Sequence, residues 1–302
     1  MKKYGVRTAA YAYFSDAVAY LDELNYPVVI KASGLASGKG VIITQDKEFS
    51  FKALELMMKD KIFSPGAADE VIIEECLQGK EASVLSVFNG KEISPFLSAK
   101  DHKKIGEGET GSNTGGIGVV ATNPHISEAI WQDFDENILT PILQGLSAEN
   151  LSFASVIFVG LMITEIGVYL LEDNLRTGDP EKQSIFTLME SDFLETIQKA
   201  IKRESIEISS KPAHSCVAVM DSGGYPRPYR KEYEITGLET LHTSYYIAGA
   251  EKENDRWITS AGRVLNIIGI GTSAQEVYKN AYEAVKKISF TDTFYRKGIG
   301  LS

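Results

Sequence analysis

Between residues 26 and 44 the chain reads YPVVIKASGLASGKGVIIT, and this stretch constrains the fold more than any other. Two β-branched runs, 27–30 and 41–44, have the composition of strands that pack on a pleated, half-buried surface. The segment between them carries Gly34, Gly38 and Gly40 with Lys31 and Lys39. Glycine lets backbone N–H groups approach an anion closely, and the two lysines add charge. A flexible cationic flap over phosphates follows from that pattern; a glycine-rich hairpin with two solvated lysines is the alternative. The segment is not a P-loop. Gly34 and Gly38 enclose three residues rather than four, Gly40 stands where a hydroxyl should follow the lysine, and the next element is a strand rather than a helix.

Hydrophobic spacing places the remaining elements. Val18, Leu21 and Leu24 after Ser15 predict a short helix over 15–24, and Phe49, Ala53, Leu56 and Met57 predict the buried face of a helix over 46–59. Pro65-Gly66 marks a turn, and 70–77 reads as a strand ending in carboxylates. The first eighty residues therefore read as a small α/β unit. Asn89-Gly90 predicts a type I′ hairpin joining strands 81–88 and 91–97. The glycine-rich stretch 106–118 reads as loop, 127–146 as a helix interrupted at Pro141, 155–163 and 167–171 as a second hairpin, and 183–202 as one long amphipathic helix. The polar SSKP at 209–212 suggests a boundary. Beyond it, strands at 214–220 and 263–270 surround a turn at 222–226. A final helix has Ser273 and Glu276 as its capping box and Val277, Ala281, Ala284, Val285 and Ile288 as its buried stripe.

Three further stretches carry chemistry. In 73–81, IEECLQGKE, backbone groups could meet a purine and a carboxylate could meet ribose hydroxyls, though acid residues at a strand end are commonly just solvated. In 171–181, LEDNLRTGDPE, an extended backbone puts Glu172, Asn174 and Arg176 on one face. Two oxygen ligands beside a guanidinium suit a Mg²⁺-polyphosphate; a polar strand end with salt bridges is the alternative. In 100–118, Asp101, His102, Lys103 and Lys104 precede a loop too long to be a mere connection. His102 taken alone reads as an exposed histidine. No histidine pair has metal-ligand spacing, and neither Cys76 nor Cys216 forms a nucleophile motif.

Composition narrows the class. A chain of 302 residues suits two or three packed units, and a formal net charge of −10 argues against nucleic acid or an anionic membrane as a general partner. Two cysteines point to a reducing, cytoplasmic setting, and no apolar run has the length of a membrane span.

In this order, KASGLASGKGVI, VIIEECLQGKEAS, DHKKIGEGETGSNTGGIG, GLMIT, EDNLRTGDPE, GGYPRPY, GRVL and YRKGIG resemble the glycinamide ribonucleotide synthetase family of the ATP-grasp superfamily, and the resemblance covers essentially the whole chain. It implies an α+β ATP-grasp fold: a lid subdomain over 13–80, a larger sheet subdomain of 1–12 and 81–205, and a C-terminal α+β subdomain over 206–302. It implies ATP held by Lys31, Gly34, Gly38, Lys39, Gly40, Glu74, Glu75, Cys76, Leu77 and Glu81, and Mg²⁺ (or Mn²⁺) held by Glu172 and Asn174. On the substrate side it implies Asp101, His102, Asn113, Gly115, Gly116 and Arg176, with Lys31, Arg176 and Asp101 catalytic. The implied reaction joins glycine to 5-phosphoribosylamine through a glycyl phosphate, in purine biosynthesis.

The same resemblance implies an N-terminal domain of roughly a hundred residues, a typical domain length, before Met1. The expectation is an N-terminally incomplete copy, or one completed by a separate domain or chain. Glu109, Ser112, Ile117, Asp173, Thr177 and Ile247 depart from the family's aspartate, proline, methionine, aromatic or apolar residue, phenylalanine and histidine. Two other readings stand beside this one: an ATP-grasp ligase for another carboxylate and amine, and a nucleotide-binding regulatory or interaction protein without catalysis.

Overall fold

The computed structural model describes residues 1–14, 18–34, 40–59, 66 and 68–301. Strands β1 (Tyr11–Phe14), β2 (Val28–Ala32), β3 (Val41–Thr44) and β4 (Val71–Glu75) form an antiparallel sheet in the order β1-β4-β2-β3. Helix α1 (Lys47–Leu54) covers one face, capped by the Asp46 carboxylate, which accepts from Phe49 N at 2.9 Å. The buried face differs from the expected one. Ser50, Ala53, Leu54 and Met57 point inward, whereas Phe49 and Leu56 are exposed. Ser50 is tolerated inside because its hydroxyl meets the Thr44 hydroxyl at 2.7 Å. Nor is 15–24 a helix: its described residues hold only a 3₁₀ turn, Val18–Tyr20. Leu21 is buried but Val18 and Tyr20 are exposed, so no apolar stripe repays the nucleation of a helix. Ser15, its expected cap, and Pro65 of the expected turn lie outside the described residues.

The second sheet is larger. Its strands are β5 (Lys80–Phe88), β6 (Ile93–Asp101), β9 (Gly118–Ala121), β10 (Ser155–Thr164), β11 (Gly167–Asn174), β12 (His214–Ser222), β14 (Tyr245–Ile247), β17 (Arg263–Gly271) and β18 (Thr293–Phe294). The order is β11-β10-β5-β6-β9-β12-β17-β14, with β18 on β12. A small hairpin, β7 (Lys104–Gly106) with β8 (Thr110–Asn113), stands where the sequence reads as loop. Positive φ at Gly108, Glu109 and Gly111 makes its tight reversal, so the glycines serve a turn within paired backbone. Strands β13 (Glu234–Ile235), β15 (Ala250–Glu253) and β16 (Arg256–Thr259) form a three-stranded sheet.

The turn at Asn89-Gly90 is a four-residue loop rather than a two-residue one. Phe88 pairs with Ile93, and the Asn89 side chain accepts from Lys91 N and Glu92 N, both at 2.9 Å, doing with an amide oxygen what a type I′ backbone would have done. The interruption expected at Pro141 is present: α2 (Glu128–Phe134) passes through a π-helical turn, Asp135–Leu139, into α3 (Thr140–Ala148). Proline has no N–H for the Asn137 carbonyl, and that carbonyl instead accepts from Arg7 N at 3.0 Å. The long helix expected at 183–202 is two, α4 (Glu181–Leu188) and α5 (Phe193–Lys202), because Asp192 caps a new start by accepting from Glu195 N and Met189 bridges to Ser210. Helix α6 (Ala274–Val285) is capped by Ser273; the Glu276 carboxylate reaches back to Thr272 N at 2.7 Å rather than to the cap residue itself.

Because β12 pairs with β9, one sheet continues through 209–212 into the C-terminal part. Cores lie on both faces of that sheet: Val217, Val219 and Ile268 pack with Ile185 and Leu188 of α4, and Ala218, Met220 and Ile267 pack with Val277 and Ala281 of α6. The lid has its own core of Leu21, Val28, Ile30, Leu54, Met57, Val71 and Ile73.

Candidate active site

Lys31 joins the two sheets. It pairs with Ile72 across β2 and β4, so Glu74 lies diagonally beside it on the same face. Its Nζ is 2.5 Å from Glu74 Oε2 and donates to the Leu171 carbonyl at 3.3 Å. That carbonyl is available because the β10–β11 ladder pairs Gly160 with Glu172 and Leu161 with Leu170, skipping Leu171. Gly34 is exposed and the Gly40 carbonyl accepts from Ala32 N at 2.8 Å; Gly38 and Lys39 lie outside the described residues. At the end of β4 Glu75 is exposed, and past it Cys76 and Leu77 are half-buried where the chain leaves the lid. Gly79 then passes so close to β10 that a Cβ there would lie 2.2 Å from the Ile163 carbonyl oxygen.

Below the lid, Glu81 and Lys103 form an ion pair at 2.9 Å. Burial alone would lower the Lys103 pKa, but Glu81, Asp101 and Glu172 together hold it above the ordinary lysine range. Glu172 and Asn174 share one face of the edge strand β11, and Asn174 Nδ2 donates to Glu172 Oε2 at 3.4 Å. Gly160 stands opposite Glu172, where a Cβ would press on the Glu172 side chain at 3.0 Å. The strand stops at Asn174, yet Arg176 still reaches this side: its guanidinium lies 5.5 Å from the Phe158 ring centroid, and Phe158 pairs with Asn174.

Asp101 ends β6 with Oδ1 buried and without a hydrogen-bond partner. Burial, then the nearby Glu181 carboxylate, pushes its pKa well above the usual carboxylate range. Glu181 is itself buried at the start of α4, where burial raises its pKa too. Gly115 and Gly116 are held from the C-terminal half. Tyr225 Oη accepts from Gly115 N at 2.9 Å, and Arg263 donates to Gly115 O at 2.7 Å and to Asp179 O at 2.8 Å while pairing with the Asp179 carboxylate at 3.0 Å. Asn113 is exposed on β8, opposite Lys104.

His102 is buried rather than exposed. Its neighbours Asp101 and Lys103 face the other carboxylates, while its own Nδ1 lies 3.0 Å from Glu109 Oε1. Arg296, near the C-terminus, donates to that same oxygen at 2.6 Å and to the Lys104 carbonyl at 2.9 Å. Burial chiefly, and Lys100 and Arg296 next to it, bring the His102 pKa down to about 4 against the pull of Glu109.

The expected site residues thus fall into two groups, one around Lys31, Glu74, Glu81, Glu172 and Asn174, and one around Asp101, Gly115 and Gly116. Glu181, Tyr225, Arg263 and Arg296 join them without having been singled out, and Lys103, noted only as part of the charged run before the glycine-rich loop, joins them too. Arg263 carried a signal, a lone charge opening the apolar run VLNIIGIG. Glu181 carried none, since a glutamate after Asp-Pro reads as an ordinary exposed helix start. Among the described residues no three His, Cys, Asp or Glu side chains cluster as a metal site. Glu172 and Asn174 offer two hard oxygens, a partial shell that suits Mg²⁺, which keeps water or phosphate oxygens as its other ligands.

Two sheets clasped through a lysine, with oxygen donors on the facing edge, define an ATP-grasp protein. The chain matches the phosphoribosylglycinamide synthetase ATP-grasp (A) domain over residues 1–182 and the C domain of the same synthetase over 215–302, and it belongs to that family. It is 48% identical to a phosphoribosylamine–glycine ligase of Fusobacterium nucleatum, with 99% of this chain and 72% of the relative covered. The Clostridium acetobutylicum ligase is 44% identical, with 100% and 74% covered. The crystal structure of the Thermotoga maritima phosphoribosylamine–glycine ligase superposes with a TM-score of 0.87 at 30% identity, over 98% of this chain and 75% of that one. The biotin carboxylase domain of a Hydrogenobacter thermophilus 2-oxoglutarate carboxylase, solved with MgADP and bicarbonate, shares the fold at 15% identity, with a TM-score of 0.68 over 97% of this chain and 65% of that one. Among the described residues no helix is long and apolar enough to cross a membrane.

Proposed function

We propose that this chain carries out ATP-dependent ligation of glycine to 5-phosphoribosylamine, a step of purine biosynthesis, in the cytoplasm. The observation that carries this reading is Lys31, a lid lysine hydrogen-bonded to the carbonyl just before Glu172, so that the phosphate-binding candidates and the two oxygen donors meet at one strand edge. In this reading Lys31, Gly34, Gly38, Lys39 and Gly40 receive the phosphates, Glu74, Glu75, Cys76 and Leu77 line the adenine and Glu81 meets the ribose. Asp101, His102, Asn113, Gly115, Gly116 and Arg176 serve the substrate side, His102 indirectly because it is buried. Mg²⁺, held by Glu172 and Asn174, would supply charge neutralisation at the phosphates.

The chemistry is activation of a carboxylate. The glycine carboxylate oxygen bonds to the ATP γ-phosphorus as the bond to ADP breaks, and the amine nitrogen then bonds to the acyl carbon as phosphate leaves. Lys31 and Arg176 would offset charge in the first step, and closure of the lid would keep water from the acyl phosphate. The test is ADP release with MgATP, glycine and freshly prepared phosphoribosylamine. Turnover that requires both glycine and the amine is the expected result. A chain that binds MgATP by calorimetry yet is stimulated by no carboxylate and amine pair would be a nucleotide-binding protein and not a ligase.

A further inference from the structure

The Asp101 Oδ1 oxygen and the Glu181 side chain lie buried beside the glycine-rich segment, and among the described residues neither side chain is ion-paired. Asp101 Oδ1 has no hydrogen-bond partner, and Glu181, 4% exposed, accepts from Ser83 Oγ at 3.4 Å. Their surroundings are shaped by absent side chains. A Cβ at Gly116 would lie 2.8 Å from Asp101 Oδ1 and 2.5 Å from Pro180 Cδ, so the Asp101 carboxyl and the residue preceding Glu181 both border Gly116. A Cβ at Gly178 would lie 2.5 Å from Glu181 Oε2. The positive charges nearby are committed elsewhere: Lys103 to Glu81, and Arg263 to Asp179 and the Gly115 carbonyl. Besides each other, Asp101 faces Lys103, Glu81 and Arg263, and Glu181 faces Lys103 and Asp179. An unpartnered buried carboxylate oxygen is costly, and a second carboxylate nearby makes it harder still to ionise.

A ligase that couples an amine to an acyl phosphate must dispose of a proton. As the nitrogen bonds to the acyl carbon, the carbon–oxygen bond to phosphate breaks, its electron pair leaves with phosphate, and the nitrogen must shed one proton to become a neutral amide. We propose that Asp101 accepts that proton, and that Glu181, on the far side of Gly116 and Pro180, is its positioning residue; this rests on the ligase reading above. The proton passes to water when the site opens. A base of raised basicity next to the amine gives proton transfer a driving force that an ordinary solvated aspartate lacks.

The test separates the two half-reactions in the whole chain. Hydroxylamine, a strong nucleophile, reports acyl phosphate formation as glycyl hydroxamate, and phosphoribosylamine reports the amine step as amide. Asp101→Asn should lower the ratio of amide to hydroxamate by about 100-fold or more, and Glu181→Gln by roughly tenfold, the range expected for a lost base and a weakened one. Glu181→Gln should also move the pH limb of amide formation to lower pH, because Asp101 would then ionise beside a neutral amide. An unchanged ratio in Asp101→Asn, or an unmoved limb in Glu181→Gln, overturns the corresponding assignment even if partial misfolding lowers the total activity of both variants. Hydroxamate without amide from the wild-type chain removes the amine the pair is proposed to serve. Neither product from the wild-type chain overturns the ligase reading itself, and this inference with it.

Discussion

The lid and the nine-stranded sheet are both antiparallel, yet they bury their strands differently. In β3 the side chains of Val41 and Ile43 are 51% and 57% exposed, whereas Val84, Leu85 and Val87 of β5 are fully buried. The lid is covered on one face by α1; the larger sheet is covered on both, by α4 on one side and α6 on the other. Among the described residues, Lys31 Nζ to the Leu171 carbonyl is a polar contact that ties them together. The contrast amounts to a division of labour. A one-sided sheet with its own small core can shift as a body at little energetic cost, while a two-sided sheet and the helix packed on it can hold Asp101, Glu181 and His102 in fixed positions.

The largest expected effect tests that division directly. Leu161→Ala removes a fully buried side chain of the large sheet, and Met57→Ala removes one from the lid core. Each should cost about 3 kcal/mol of local packing. Leu161→Ala should lower the midpoint of global denaturation accordingly. Met57→Ala should speed hydrogen exchange in β2, β3 and β4 while leaving the midpoint of the large sheet nearly in place. A single transition shifted equally by both substitutions would mean that the lid and the framework unfold as one unit, and the division would not hold.

A second effect, of similar size but confined to acid, belongs to the framework. His102 is fully buried and neutral, with a pKa brought down to about 4, while an unfolded histidine titrates near 6.5. Between those values the unfolded chain binds the extra proton and the folded chain does not, so stability is lost as pH falls from about 6.5 to about 4. The contribution is on the order of 3 kcal/mol. The buried carboxyls Asp101 and Glu181 act in the opposite sense, binding protons more readily when folded. The decisive measurement is therefore a difference: denaturant titrations of wild type and His102→Gln at pH 7 and pH 4.5. The stability gap between the two proteins should change with pH in favour of the variant in acid. A constant gap would show that His102 carries no such penalty.

Local rules made much of this legible in the sequence. Strand runs, the Ser273 cap, the break at Pro141 and the shared face of Glu172 and Asn174 follow from spacing and backbone chemistry within a few residues of one another. The misses share a different origin. The inward face of α1 depends on a hydroxyl pair between Ser50 and Thr44, and the hairpin at Lys104–Asn113 is anchored by Arg296 and the Gly115–Gly116 segment after it by Tyr225 and Arg263, all more than a hundred residues away in the chain. Glu181 is buried among residues distant or glycine in the sequence, with Ser83 of β5 donating to it and Gly178 leaving room for its carboxyl. No period or motif in a one-dimensional reading encodes such contacts, so the strands that carry Lys31, Glu74, Glu172 and Asn174 were easier to foresee than the surroundings of Asp101 and Glu181.

The smallest effect compares two helix caps of like chemistry on either side of the division. Asp46 accepts from Phe49 N at 2.9 Å at the start of α1, and Ser273 accepts from Glu276 N at 3.3 Å at the start of α6. Each satisfies one N–H that the helix itself cannot, and loss of either to alanine should cost about 1 kcal/mol. Ser273→Ala acts on a helix packed against β12 and β17, so its cost should appear in full in the global midpoint. Asp46→Ala acts on the lid helix, so its cost should appear as faster exchange of α1 and β3 amides with little change in that midpoint. Because the two losses are alike in size and differ only in where they fall, equal shifts of the global midpoint would show that α1 is as firmly coupled to the framework as α6, and the lid could not then close as a separate body.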